Sequence, residues 1–161
     1  MELFDGVISH IIDVLSVDTR LAQVDFVSAF RAKPKPNPLI KTLVTVGING
    51  IEILDKALGQ YLGIQNGKEV FGKNANICLI LRIHCPVRFG GEKCAEIFSM
   101  ICNALIFNDI GYKLNGLNCK DIYFDATSSC FVLDCLLSID SFVTETPEQL
   151  NISNIKVKGE I

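Results

Sequence analysis

The chain lacks most of the features that would announce a chemistry. It has no tryptophan, only two histidines, and no G-x-S-x-G, glycine-rich phosphate loop, H-x-x-x-H or carboxylate cluster at metal spacing, so no catalytic residue, metal or cofactor is expected. Long apolar runs are also missing. Stretches such as Ile97–Phe107 fall well short of the ~20 residues a spanning helix needs, so no membrane span is expected. Glu2 and Asp5 stand where an export signal would carry lysine or arginine, which points to a cytosolic protein. There is no excess of positive charge: the net charge of −3 and pI near 5.3 argue against a nucleic-acid-binding module, and Arg31, Lys33 and Lys35 read as a solvated turn. No C-x-x-C occurs among the seven cysteines, and their odd number argues against both a zinc ribbon and a disulfide framework.

What is present is apolar bulk. Hydrophobic residues make up 49% of the 161 positions and the mean hydropathy is +0.36, which implies either a large single core or surface buried against other subunits. Cys78, Cys85, Cys94, Cys102, Cys119, Cys130 and Cys135 mostly sit inside apolar runs and read as small buried hydrophobes. A thiol enzyme pairing one of them with His84 or His10 is the first rival reading. A small-ligand pocket between a helix at 90–108 and a sheet is the second.

Periodicity organises the rest. Leu3, Val7, Ile11 and Val14 or Leu15 recur at helical spacing, and Asp18 and Thr19 end that helix. Residues 22–30 alternate as a strand would, with a helical continuation as the alternative. Pro34, Pro36 and Pro38 then hold the backbone extended ahead of a second strand at 43–53, taken as one bent strand through Asn49-Gly50 rather than a hairpin. The stretch 55–75 shows no sustained period and reads as a long glycine-bearing loop. Asn76–Pro86 reads as a central strand buried on both faces, and Cys94, Phe98, Ile101 and Leu105 line one face of a helix closed by Gly111. Residues 116–125 and 128–143 form a hairpin around "DATSS", with Phe131, Leu133, Cys135, Leu137 and Ile139 on one face. "TPEQ" at 146–149 carries a capping pattern for a helical turn, and Ile155 and Val157 suit an edge strand. The expected fold is α+β: a mainly antiparallel sheet of about four to five strands with helices packed on one face, a single domain over 1–145 and a C-terminal extension over 146–161.

The succession of proline-rich lead-in "KPKPNPLIKTLVTVGI", glycine-bearing stretch with "YLG", strand "CLILRIHCP", helix "GGEKCAEIFSMI" and hairpin "IYFDATSSCFVLDCLLSI" resembles the tail terminator proteins of bacteriophages and phage-tail-like particles. The resemblance covers roughly residues 1–145 and is one of layout. It implies a non-enzymatic subunit of a homohexameric ring that caps the tail tube, touches tube and sheath proteins and joins the head-tail connector. Such a protein would be made in the cytoplasm of a host bacterium and end in the virion or tail-like particle. Other head-tail connector or baseplate roles share such layouts and are the nearest alternative. Tyr61, Leu62, Ile64, Val70 and Phe71 give the 55–75 stretch more apolar bulk than a linker needs, and are the expected partner contacts.

Overall fold

The computed structural model describes residues 2–30, 35–36, 38–54 and 61–144. The extension at 146–161, its capping pattern and its edge strand lie outside the described residues, as does the side chain of Leu3. Helix α1 spans Glu2–Ser16, followed by a 3-10 turn at Thr19–Leu21 and strand β1 at Val24–Ser28. Strands β2 (Thr42–Leu54), β3 (Tyr61–Gln65) and β4 (Lys68–Pro86) come next. A second 3-10 turn at Val87–Phe89 leads into α2 (Glu92–Phe107). Strands β5 (Lys113–Cys119), β6 (Tyr123–Asp125) and β7 (Cys130–Thr144) complete the described chain.

The seven strands form one sheet in the order β1-β2-β4-β7-β5, with β3 added to β4 and β6 to β7. This is larger than the four to five strands expected, and it is mixed: β1 runs parallel to β2, with Val24 beside Thr42 and Ser28 beside Val46. Parallel neighbours need a crossover. The proline segment belongs to that crossover, and β2, between β1 and β4, is an interior strand.

Alternation then builds the core. Val44, Val46, Ile77, Leu79, Leu81, Ile83, Leu133, Cys135, Leu137 and Ile139 project to one side of β2, β4 and β7, and α1 and α2 cover them with Val7, Ile11, Leu15, Cys94, Ile97, Ile101 and Leu105. The helix stripes and the β7 face follow the sequence periods. The opposite face is only partly covered. Strand β4 carries half-exposed Cys78 and Ile80 and exposed Arg82 there, so it is buried on both faces only at its end, where His84 and Pro86 lie. The Arg82 guanidinium meets the Asp134 carboxylate directly across the β4–β7 ladder at 2.6 Å, which holds the Arg82 pKa above its ordinary value.

Residues 55–75 are not a loop over their described length. Strands β3 and the first part of β4 form an antiparallel hairpin, Gln65 pairing with Lys68 around Asn66-Gly67, whose φ values of 52° and 75° are those a two-residue turn of matching twist requires. Asn49-Gly50, by contrast, stays inside β2, where the register to β4 shifts between Ile48 and Gly50 as a bulge.

Candidate assembly interface

Strand β4 has 19 residues, about 60 Å of extended chain. β2 and β7 flank it from residues 74 and 72 onward, and only β3 pairs with its first residues, so the β3–β4 hairpin projects from the sheet as a two-stranded arm. Odd-numbered β4 residues face the helix side. Phe71 therefore continues the line of Ile77 and Ala75 beyond the helices, and Tyr61, paired with it, places its ring edge-on at 5.7 Å. A register shift between Tyr61 and Gly63 returns Ile64, opposite Glu69, to the same side.

This side of the arm thus carries large apolar side chains open to solvent, interspersed with Glu69 and Lys73. Tyr61 is 43% exposed, Ile64 68% and Phe71 38%, and at its root Ile51 and Ile53 on β2 add 38% and 50%. Four of the five expected contacts can be placed. Tyr61, Ile64 and Phe71 share this side, while Val70 is half-buried and, opposite Gly63, points the other way. Leu62 is in β3, but its side chain lies outside the described residues. Sequence reasoning missed Ile51 and Ile53 as neighbours of the group. The alternation of β2 carried that signal, but its bulge reverses the count.

Further exposed apolar side chains lie at the other end of the sheet, on both flanks of the turn where β4 passes into α2. Val87, Phe89, Ile122 and Phe124 are exposed there, and the Phe124 ring leans edge-on against half-buried Phe131 at 5.3 Å. Ile122 and Phe131 close on Gly91 at the start of α2, so this patch is built around a fixed backbone. Arg88 lies over the Phe89 ring at 4.7 Å and donates to the Ile40 carbonyl, tying the turn to the lead-in of β2.

The groups of the rival readings also have definite positions. His10 is bonded through Nε2 to the Ile110 carbonyl at 2.8 Å and meets Tyr112 edge-on, linking α1 to the α2–β5 connection. His84 is buried, and Lys35 Nζ lies 3.2 Å from its Nδ1 and 3.8 Å from Cys130 Sγ. Burial, with the Lys35 charge beside it, pulls the His84 pKa down to about 4, so the imidazole is neutral and accepts from the ammonium. A hydrogen bond with Cys85, then burial, pushes the Cys94 thiol up, and burial raises Cys135 to about 12. Under the middle of the sheet, Cys94, Ile97, Ile101 and Leu105 of α2 are buried. One concavity of about 640 Å³ lies beside β1, lined by Val24, Phe26, Pro36 and Leu43, and another of about 430 Å³ lies between α2 and the β1–β2 edge, lined by Lys93, Ile97 and Met100 on one side and Val24, Lys41 and Thr42 on the other. Among the described residues no group of three or more His, Cys, Asp or Glu could hold a metal ion, and no helix is long and apolar enough to cross a membrane. No protein-family model and no curated protein matches this chain.

Proposed function

We propose that the chain is a non-enzymatic structural subunit that associates with copies of itself into a closed ring of about six, and that this ring caps the tube of a phage or phage-like tail and ends its growth. The observation that carries the reading is the arm: a ribbon with Tyr61, Ile64 and Phe71 open on one side. A two-stranded ribbon is marginal by itself in water, so a partner that covers it is the simplest reason for it to persist. Burying side chains of this size contributes roughly 1.5–3 kcal/mol each, and repetition around a ring multiplies the effect.

The polarity of the molecule supports a ring. An apolar arm at one end of the sheet and an aromatic patch at the other suit a head-to-tail contact, and such contacts close into rings when the rotation allows. The tube end, the sheath and the head-tail connector are the further partners in this reading. A connector or baseplate subunit would use the same surfaces and differ in failing to bind a tube end.

The test separates assembly from capping. Light scattering on the purified chain is expected to give about six copies or a concentration-dependent approach to that size, and added tail tubes are expected to acquire a cap and stop elongating. A chain that stays monomeric at high concentration with tubes present would overturn the proposal.

A further inference from the structure

Cys130 lies at the start of β7 beneath the described part of the β1–β2 crossover, and its sulfur has one polar neighbour besides the crossover lysine. Ser128 Oγ is 2.9 Å from it and donates to the Asp125 carboxylate, so the thiol hydrogen is directed to Ser128. Lys35 Nζ lies 3.8 Å from the sulfur and is held there by Nδ1 of His84. A buried thiol thus has a proton path leading out through a hydroxyl to a carboxylate, and a primary amine within 3.8 Å of its sulfur. A small apolar side chain would fill the position equally well.

We propose that Cys130 and Lys35 form an oxidative thiol–amine crosslink, a sulfenamide that fastens the proline crossover to β7, with hydrogen peroxide as the oxidant. The thiol proton leaves along Ser128 towards Asp125, and the thiolate attacks one peroxide oxygen, giving Cys130–SOH and releasing hydroxide, which takes up a proton to become water. Lys35, after losing its ammonium proton to solvent, attacks the sulfur. The S–O bond breaks, the hydroxyl leaves as a second water with a proton from nitrogen, and an S–N bond forms. The sum is thiol plus amine plus one peroxide giving sulfenamide plus two waters, with sulfur oxidised by two electrons and peroxide reduced by the same two. Lys35 traps the sulfenic acid before it climbs to sulfinic acid. A thiol reductant reverses the link.

The experiment treats the full chain with a modest excess of hydrogen peroxide, blocks remaining thiols and maps peptides by mass. The expected product is a species joining the peptides that contain residues 35 and 130, lighter than their sum by two hydrogens and lost on reduction. It should vanish in Lys35→Arg, which keeps the positive charge, and in Cys130→Ala, both checked for an unchanged melting profile beforehand. Because the closed loop is long, the crosslinked chain should melt roughly 5–10 °C higher than the reduced one. Exposed Cys119 is the internal reference for ordinary oxidation. Cys130 recovered as free thiol or as sulfinic acid, while Cys119 has reacted, would overturn the proposal, as would a joined species that persists in Lys35→Arg. Ring formation is a separate measurement, so this result stands or falls independently of the assembly reading.

Discussion

Gly47 has no room for a side chain, because a Cβ built there would come within 2.9 Å of the Ala29 Cβ and within 3.7 Å of Ile80 Cγ2. The end of β1 therefore lies close against β2, fixed by the Ala29 N–H to Val46 carbonyl bond at 2.8 Å. Gly47→Val should destabilise the chain by roughly 1–3 kcal/mol in urea unfolding, since backbone would have to move to admit the methyls. His84 gives a prediction in pH. Its pKa is near 6.5 in the unfolded chain and about 4 when folded, so between those values the unfolded chain binds more protons, and stability is full above 6.5 and lost as pH falls towards 4. The loss is on the order of 3 kcal/mol if this group acts alone. Chemical denaturation at a series of pH values should show this limb in the native chain and a flatter one in His84→Gln.

The projecting hairpin is the element whose form was hardest to read, and the reason is physical. Its strands carry glycines, lysines and a bulge instead of the clean alternation that a buried face imposes, because Tyr61, Ile64 and Phe71 stay exposed instead of packing into the core. Burial writes the period into a sequence. Where burial ended, the period ended, and the stretch resembled a loop. The same logic explains what was legible: β7 shows Phe131 to Ile139 on one face because the helices press against that face, and α2 shows its stripe for the same reason. The parallel placement of β1 left no mark, since parallel and antiparallel neighbours present the same side chains to a core. Of the candidate site, the residue types were visible in sequence, while their common side depended on the register shift at Tyr61/Gly63. The turn tests the arm as an element. Replacing Asn66 and Gly67 by alanine forces positive φ on residues that resist it, costing about 1–2 kcal/mol per position. Hydrogen exchange should then rise at β3 and the first residues of β4 while the core of β4 and β7 stays protected.

At the scale of the whole molecule, the arm and the aromatic patch lie at opposite ends of one rigid sheet, so their effects should be separable from folding. Tyr61→Ser with Phe71→Ser is expected to leave the melting temperature within a few degrees of the native value, given that both side chains are already substantially exposed. The same pair should shift the light-scattering mass towards monomer, and Val87→Ser with Phe89→Ser at the other end should do likewise. If the doubles assemble normally, the apolar ends are not the contacts. β4 runs from the arm through the middle of the sheet, paired with β7 all the way from Gly72 to Pro86 and with β2 over Asn74 to His84. A pull on the arm along its length is therefore resisted by two ladders at once, in shear, with every hydrogen bond loaded together; a pull across the strand would unzip them one after another. The molecule should be mechanically anisotropic: tethered through residue 66 and pulled along β4 in a force spectrometer, it should yield at a much higher force than when β5 is peeled from the edge.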